Sequence, residues 1–199
     1  MLFGEDTCVC GRHYFVCSIQ QLAELLYIKR EPVVVLQGRC ESGPRALGGR
    51  SILCDARSIK AKEVLNKVKR REWYRPVAPI CMEEYSTCYF SPGGSDKYML
   101  FDHIANDRAK REIPAVIHLD GTSRLQTISK EDNETIYSIL SEYRNLSGVA
   151  VLCNTSANHL GSGFFPDVKS AQEWGRCNYI WSDGILYSKV FKRPFNKAK

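Results

Sequence analysis

The sequence predicts an α/β or α+β fold with a mixed β-sheet, and three observations support this class. Segments of helical and of strand periodicity alternate along the 199 residues. The hydrophobic fraction of 44% and the charged fraction of 25% are ordinary for a soluble globular protein. A chain of this length can bury a core without disulfide staples. Since no run approaches the ~18–20 apolar residues that span a bilayer, and no secretory signal is visible, we expect a cytoplasmic protein without a membrane segment.

The first third of the chain predicts two helices and two strands. A helix should begin near Ser18, which forms an S-x-x-Q capping box with Gln21 and precedes an apolar stripe at Leu22, Leu25 and Leu26. Residues 32–36 read as a buried strand, and 43–49 as a turn-rich loop. Residues 60–69 should be helical, with one apolar face made by Val64, Leu65 and Val68. A strand is expected at 77–82.

The middle of the chain has weaker patterns. The apolar runs 113–119 and 125–128 bracket Asp120-Gly121-Thr122, which is typical of a hairpin or a loop. Residues 131–146 predict the clearest helix, with Gly148 in the position that commonly ends one. An apolar strand at 149–153 then leads into Asn154.

The end of the chain completes the pattern. A helix is expected from Pro166 through Trp174, and two strands should flank Asp183-Gly184. Residues 1–12 are interpreted as an N-terminal extension, 13–190 as the domain and 191–199 as a basic tail.

Nine cysteines show no paired C-x-x-C spacing, so we expect reduced and mostly buried thiols. A zinc site from Cys8, Cys10, His13 and Cys17 is conceivable, but its spacing fits no common zinc module. No tightly bound metal is therefore expected.

Most of the net charge of +6 comes from the end of the chain. Without the lysines and the arginine that follow Asp183, the remainder is nearly balanced. A basic tail is most often a solvated chain end, and the alternative is contact with nucleic acid or an acidic partner.

Three segments combine turn residues with cations or small polar groups. Residues 38–51 hold four glycines and three arginines, which suit the binding of phosphate or carboxylate oxygens. The alternative for this segment is a surface turn with Glu41 and Asp55 as ion partners. Residues 67–75 hold five cations and one acid, with Trp73 and Tyr74 as a possible aromatic wall.

The third segment, 154–158, offers amide and hydroxyl groups at the carboxyl end of a strand, where ligands bind in α/β sheets, although a simple polar turn is the alternative. Arg124 follows a turn at 120–122 and could equally be an exposed turn residue. His118 is a weaker candidate for a residue that lines the site. The other histidines, His13, His103 and His159, are interpreted as incidental surface residues.

Four blocks in this order resemble one known family. They are GRCESGPRALGGRSIL at 38–53, NKVKRREWYRPVAPI at 66–80, IPAVIHLDGTSRLQTI at 113–128 and GVAVLCNTSAN at 148–158. On these blocks, residues 13–190 resemble the C-terminal YrdC-like domain of the nodulation and antibiotic-biosynthesis O-carbamoyltransferases. The resemblance implies a YrdC-like twisted mixed sheet flanked by helices.

The resemblance also implies a reaction in which carbamoyl phosphate and ATP form a carbamoyl adenylate and release phosphate and pyrophosphate. Mg²⁺ is expected to accompany ATP. By motif, the phosphates would be gripped by Arg45, Lys69, Arg75 and Arg124. The carbamoyl group would be positioned by Asn154 and Ser156. The family's Lys-x-Arg and Ser-x-Asn pairs correspond to Lys69 with Arg71 and Ser156 with Asn158.

We accordingly predict two sets of site residues. The catalytic set is Lys69, Arg75, Arg124 and Ser156. The set that binds substrate or nucleotide is Arg39, Arg45, Arg50, Ser51, Arg71, His118, Asp120, Thr122, Asn154 and Asn158.

The sequence departs from the family at Gly49, where Asn is usual, and at Ser42, where an aromatic residue is usual. Relatives also carry a large N-terminal kinase-like domain with metal-binding histidines, for which these 199 residues have no room. Transfer to an acceptor is therefore expected to need a separately encoded kinase-like subunit or the rest of a longer chain. Two alternatives stay open, namely a non-catalytic nucleotide or nucleic-acid binding module and an enzyme that makes a threonylcarbamoyl adenylate.

Overall fold

A computed structural model describes residues 13–159 and 162–189. The strands are β1 (His13–Val16), β2 (Val33–Leu36), β3 (Arg50–Asp55), β4 (Ala78–Met82), β5 (Phe90–Ser91), β6 (His103–Ala105), β7 (Thr122–Ser123), β8 (Gln126–Ile128), β9 (Val151–Ser156), β10 (Asn158–His159), β11 (Ser162–Phe164), β12 (Tyr179–Ser182) and β13 (Ile185–Ser188). The α-helices are α1 (Ile19–Lys29), α2 (Lys60–Val68), α3 (Ser86–Tyr89), α4 (Asp107–Glu112), α5 (Glu134–Ser147) and α6 (Val168–Trp174). Short 3₁₀ turns occur at Glu83–Tyr85 and Pro114–Val116.

Eight strands form one mixed sheet in the order β1-β13-β12-β2-β3-β9-β4-β8. Strand β12 runs parallel to β2 and strand β4 parallel to β8, whereas the other neighbours are antiparallel. Strands β5, β6 and β7 make a second small sheet, and β10 pairs with β11. Strand β9 thus lies between β3 and β4, so its carboxyl end adjoins the loop that enters β3 and the segment that enters β4.

Helices α1 and α5 pack against each other and against strands of the large sheet. The predicted capping box of α1 is confirmed, because Ser18 Oγ accepts from the Gln21 N–H and Gln21 Oε1 accepts from the Ser18 N–H. Gly148 follows α5 with a φ of 75°, a left-handed conformation that favours glycine. The apolar faces of these helices are fully buried, at Leu22, Leu25, Leu26, Ile136, Ile139 and Leu140.

The predicted apolar face of α2 is wrong. Val64 is 41% exposed, because α2 buries a face made by Ala61, Lys62, Leu65 and Asn66 instead. Residues 113–119 form no strand, since Pro114 opens a 3₁₀ turn. The strands that follow it, β7 and β8, join different sheets, so the loop is confirmed over the hairpin for the segment around Asp120.

Several predictions fall outside the part of the chain that the structure describes. These are the N-terminal extension, the basic tail, and Cys8 and Cys10 of the conceivable zinc site. Among the described cysteines, Cys17, Cys54, Cys81 and Cys153 are buried thiols, as expected. No helix in residues 13–159 or 162–189 is long and apolar enough to cross a bilayer.

Candidate anion-binding site

Two adjoining cavities open at the carboxyl end of β9. The first cavity has a volume of about 160 Å³ and is lined by Pro44, Arg45, Ala46, Arg71, Pro76, Ala78, Met99, His118, Arg124, Asn154, Thr155 and Ser156. The second cavity has a volume of about 360 Å³ and is lined by Lys69, Arg70, Arg71, Glu72, Arg75, Ser156, Asn158, Trp174 and Arg176. Because Arg71 and Ser156 line both, the two cavities are neighbours.

Glu41 shapes the loop that carries Arg45. Its carboxylate accepts hydrogen bonds from the backbone N–H groups of Leu47 (2.9 Å), Gly49 (2.8 Å) and Arg50 (3.0 Å). A Cβ on Gly49 would lie 3.1 Å from Glu41 Cγ, so the glycine lets the carboxylate approach this closely. Glu41 therefore serves as a cap for backbone amides and not as the ion partner considered in the sequence analysis.

Arg50 is buried inside the same loop. Its Nε–H donates to the Phe165 carbonyl (2.8 Å), and its two terminal nitrogens donate to the carbonyls of Gln37, Gly49, Gly38 and Pro166. Only 4% of the residue is exposed. Because backbone carbonyls occupy the whole guanidinium, Arg50 supports the loop and does not line either cavity.

Asn66 holds the segment that follows α2. Its Nδ2 donates to the carbonyls of Trp73 and Arg75, both at 2.9 Å, and its Oδ1 accepts from Arg71 Nε at 2.6 Å. The residue is 1% exposed. One buried amide thus fixes the turn and orients Arg71 toward the site. Burial and the charge of Arg75 lower the pKa of the Arg71 guanidinium.

Lys69 joins the end of α2 to the segment after β9. Its Nζ donates to the Ser156 carbonyl (2.8 Å), to the Asn158 carbonyl (3.0 Å) and to Asn158 Oδ1. Ser156 Oγ donates to the same Asn158 Oδ1 at 2.8 Å. Burial, together with the nearby charge of Arg71, lowers the pKa of Lys69 to about 8. The amine is therefore largely protonated at neutral pH and can exchange its proton slightly above it.

Asn154 connects three parts of the site from the centre of the sheet. Its Nδ2 donates to the Ala46 carbonyl (3.1 Å) and to Gln126 Oε1 (2.6 Å), which ties the Arg45 loop to β8. Its Oδ1 is buried and has no hydrogen-bond partner among the described residues. Asn154 lies opposite Leu53 in β3 and Ala78 in β4, so the sheet register fixes its position.

His118 is held by the loop that ends at β7. Thr122 Oγ1 lies 2.7 Å from Asp120 Oδ1 and 3.0 Å from His118 Nδ1. The same carboxylate accepts from the Thr122 N–H (2.9 Å), and these bonds to Thr122 lower the pKa of Asp120. Burial lowers the pKa of His118, so the imidazole is neutral at pH 7.

The first cavity has a strongly positive lining. It contains the guanidinium groups of Arg45, Arg71 and Arg124, and none of its described lining residues is acidic. Neither Arg45 nor Arg124 has a hydrogen-bond or ion-pair partner among the described residues. In the second cavity Arg75 pairs with Glu72 at 2.7 Å. Guanidinium groups without partners at a cavity can bind phosphate or carboxylate oxygens in a two-point geometry.

The structure brings most of the predicted site residues together. Among the predicted residues, the first cavity is lined by Arg45, Arg71, His118, Arg124, Asn154 and Ser156. The second cavity is lined by Lys69, Arg71, Arg75, Ser156 and Asn158. Arg39, Arg50, Ser51, Asp120 and Thr122 do not line either cavity. Asp120 and Thr122 act on the site through His118.

Other expectations about side chains are corrected. Trp73 and Tyr74 are 72% and 53% exposed and do not line the cavities, so they form no wall of the site. His103 is buried beside Asp96 and is not a surface residue. Asn66 and Gln126 were missed, and Glu41 was considered only as an ion partner. All three act through hydrogen bonds to distant segments, which no local sequence pattern reveals.

Comparison with known proteins identifies relatives of this chain. The family model described as "Carbamoyltransferase C-terminus" matches residues 23–180. Nodulation protein U of Rhizobium tropici is 54% identical over 173 residues, which cover 87% of this chain and 30% of that protein. The 3'-hydroxymethylcephem-O-carbamoyltransferase of Streptomyces clavuligerus is 42% identical over 132 residues, covering 66% of this chain and 25% of that protein. The chain spans less than a third of the length of these two relatives.

Solved structures share the fold at low sequence identity. HypF of T. kodakarensis gives a TM-score of 0.59 at 17% identity, over 90% of this chain and 23% of that chain. A variant of P. abyssi Sua5 gives a TM-score of 0.53 at 14% identity, over 83% of this chain and 48% of that chain. These likenesses concern the fold alone, and they confirm the predicted YrdC-like mixed sheet flanked by helices.

Proposed function

Because the chain belongs to the carbamoyltransferase C-terminal family, we propose that its two cavities bind MgATP and carbamoyl phosphate and form a carbamoyl adenylate. The observation that carries this proposal is the lining of the first cavity, where Arg45, Arg71 and Arg124 meet without an acidic neighbour. A site of this charge and size fits phosphate groups, and the adjoining second cavity gives room for a second phosphate-bearing substrate.

The proposed reaction consumes one water molecule. Water hydrolyses carbamoyl phosphate to carbamate and phosphate, and a carbamate oxygen then attacks the α-phosphorus of ATP. The new bond joins that oxygen to phosphorus, and the bond from the α-phosphorus to the bridging oxygen breaks as pyrophosphate leaves. Such steps need the reactants to be held in line and the transferred charge to be stabilised, and they need no nucleophile from a side chain.

The residues of this chain would hold the reactants in line and stabilise the transferred charge. The unpartnered guanidinium groups of Arg45 and Arg124 would bind phosphate oxygens, and Arg71 would do so from the position that Asn66 fixes. Lys69 would contribute positive charge at the junction of the cavities, beside Ser156 and Asn158. Since the lining of the first cavity includes no carboxylate among the described residues, Mg²⁺ would enter on the oxygens of ATP and not on protein ligands.

We further propose that transfer of the carbamoyl group to an acceptor requires protein outside these residues. About 70% of nodulation protein U of Rhizobium tropici has no counterpart in this chain, since the match covers 30% of that protein. A kinase-like subunit, or a further part of the same polypeptide, would then accept the adenylate in the cytoplasm.

A pyrophosphate-release assay with MgATP and carbamoyl phosphate tests the proposal. Wild-type protein should release pyrophosphate, and Lys69→Ala and Arg124→Ala should each lose about 10²-fold in rate, the usual effect of removing one group that stabilises transferred charge. Arg111→Ala, which changes an exposed arginine of α4, is the matched control and should be unaffected.

Two outcomes would redirect the proposal. A well-folded protein that releases no pyrophosphate, alone or with the rest of a related carbamoyltransferase, would defeat it. Release that requires threonine and bicarbonate in place of carbamoyl phosphate would instead favour the threonylcarbamoyl adenylate chemistry.

A further inference from the structure

The segment between α2 and β4 is organised around one buried residue, Asn66. This segment supplies most of the cations that line the second cavity, which are Lys69, Arg70, Arg71 and Arg75. Besides the three hydrogen bonds of its side chain, Asn66 accepts at its own carbonyl from the Arg71 N–H, at 3.0 Å. It is 1% exposed and lines neither cavity. Four hydrogen bonds to one residue therefore determine the path of the chain from 71 to 75.

The partners of the Asn66 side chain require an amide. The carbonyls of Trp73 and Arg75 can only accept, so the amide nitrogen must face them, at 2.9 Å each. The guanidinium of Arg71 can only donate, so the amide oxygen must face its Nε, at 2.6 Å. An aspartate would place oxygen against two carbonyls, and a leucine of similar size would satisfy none of the three groups. Both ends of the amide are therefore needed.

The positive charge of Arg71 has no acidic partner. None of the described carboxylates forms an ion pair with it, and Glu72, its neighbour in sequence, pairs with Arg75 at 2.7 Å. Asn66 holds the guanidinium with a neutral oxygen, so it orients the group without neutralising the charge. A partly buried charge without a counterion is costly, and a bound anion removes that cost. Because Arg71 lines both cavities, this charge is available to an anion in either one.

We propose that Asn66 is a positioning residue for phosphate binding, because its neutral amide aims Arg71 at the ligand and leaves the charge of the guanidinium unpaired. This inference rests on the proposed function and extends it to a residue that lines neither cavity. Asn66 acts through Arg71, so its loss should weaken phosphate binding only while Arg71 is present. A residue with a purely structural role would lower stability and leave the affinity of the folded protein unchanged.

Binding of inorganic pyrophosphate to the full chain, measured by calorimetry in a double-mutant cycle, tests this proposal. Asn66→Ala should weaken binding about tenfold, which lies within the usual coupling range of residues in contact. The same change should have an effect of less than about twofold in the Arg71→Ala background, because no guanidinium remains to be aimed.

Asn106→Ala is the control for that cycle. The Asn106 amide is also hydrogen-bonded at both ends, to the Ala109 N–H (2.9 Å) and the Cys88 carbonyl (3.0 Å). It caps α4, which lines neither cavity. The variant should lower Tm through loss of the cap and keep the wild-type affinity for pyrophosphate.

Arg71→Lys provides a second test that stands even if Asn66→Ala folds poorly. Lysine keeps the positive charge but has no Nε–H for the Asn66 oxygen and no planar fork, so pyrophosphate should again bind about tenfold more weakly. NMR follows the contact itself, since the Arg71 Nε–H should be protected from exchange in the wild type and lose that protection in Asn66→Ala. The Nε–H of Arg50, which donates to the Phe165 carbonyl, is the internal reference and should stay protected.

The outcomes separate this proposal from the proposed function. A folded Asn66→Ala protein with wild-type affinity would overturn the positioning role, and so would equal losses in the wild-type and Arg71→Ala backgrounds. Wild-type affinity in Arg71→Lys, or no pyrophosphate binding by the wild type, would overturn it as well. If binding follows the predicted cycle but MgATP and carbamoyl phosphate yield no pyrophosphate, the role of Asn66 is supported and only the reaction is defeated.

Discussion

The guanidinium groups of Arg45 and Arg50 have opposite surroundings, although both belong to one loop. Arg50 donates to five backbone carbonyls and is 4% exposed, whereas Arg45 is exposed at the first cavity and has no partner among the described residues. A guanidinium whose donors are all occupied stabilises the loop, and one whose donors are free can bind a ligand. The chemical role of each arginine is therefore set by its contacts.

Glu41→Gln tests the support of this loop. The carboxylate accepts from three backbone N–H groups, and an amide oxygen would accept them more weakly and place an N–H₂ group among donors. We expect the free energy of unfolding to fall by about 1.5–3 kcal/mol, the range for hydrogen bonds to a charged group. Urea denaturation measures the change, and Glu131→Gln, at an exposed position, is the control expected to stay within about 0.5 kcal/mol.

The pKa of Lys69 predicts how phosphate binding depends on pH. Because this pKa is lowered to about 8, and bound phosphate favours the charged amine, binding takes up a proton above pH 8. Affinity for ATP should therefore fall as pH rises from 8 to 10, by up to about tenfold per pH unit. Calorimetry across this range measures the slope.

Lys69→Arg is the control for that slope, because arginine keeps its charge throughout. The variant should bind with little dependence on pH between 8 and 10. Equal slopes in the wild type and Lys69→Arg would show that another group controls the affinity.

For single residues, the sequence identified candidates for the site but could not assign their hydrogen-bond partners. The arginines at 45 and 50 have the same side chain and similar neighbours, so no local pattern separates the one that meets Phe165 from the one that meets solvent. Lys69, Ser156 and Asn158 were found because short motifs carry them. Asn66 was missed, since its three hydrogen bonds depend on how the chain turns after α2.

Among the elements, the loop before β3 and helix α5 fit each other closely. Gly48 has a φ of 108°, and a Cβ at this position would lie 2.6 Å from Ile136 Cγ1 and 2.9 Å from Asn133 Nδ2. Gln37 Nε2 also donates to the Gly48 carbonyl (3.2 Å) and to Asn133 Oδ1 (2.9 Å). The first turn of α5 therefore fixes the position of the loop that carries Arg45 relative to the helix.

Gly48→Ala measures this fit when it is compared with Gly43→Ala. Both positions have a positive φ, but nothing lies within 4 Å of a Cβ built on Gly43. We expect Gly43→Ala to cost about 1 kcal/mol from backbone strain, and Gly48→Ala to cost about 1–3 kcal/mol more from the clash with α5. Thermal unfolding measures both, and equal losses would mean that the contact with α5 is not tight.

Elements with regular periodicity were predictable, and those set by tertiary contacts were not. The capping box at Ser18 and the glycine after α5 are local signals, so both ends were placed well. The exposed side of α2 was misjudged because Asn66 faces the following turn and rotates the buried face away from Val64. The segment 113–119 was ambiguous because its apolar residues pack as a turn and not as a strand.

For the whole molecule, the first cavity combines segments that are far apart in sequence, from Pro44 to Ser156. Strand β9 brings them together because it lies between β3 and β4 and carries Asn154 to the centre of the site. The mixed sheet was predictable from alternating patterns, but the neighbours of each strand were not. That pairing decides which loops meet.

Ligand binding should therefore stabilise the whole chain. MgATP at 100 times its Kd should add about 2.7 kcal/mol and raise Tm by about 5–10 °C. The shift should decrease with added NaCl because guanidinium groups supply the attraction, and it should be lost in the double variant Arg45→Gln/Arg124→Gln. Differential scanning fluorimetry measures it, and an equal shift with uncharged adenosine would contradict a site for phosphate.

The central place of β9 has a consequence for synthesis on the ribosome. Its neighbours β3 and β4 end at Asp55 and Met82, whereas β9 begins only at Val151. Until that point is translated, the facing edges of two strands have no partner to hydrogen-bond with, and such edges pair readily with other chains. These two edges of β3 and β4 therefore stay open to wrong pairing until Val151 has been synthesised, and the cavity that Asn154 and Ser156 line can form only after that point.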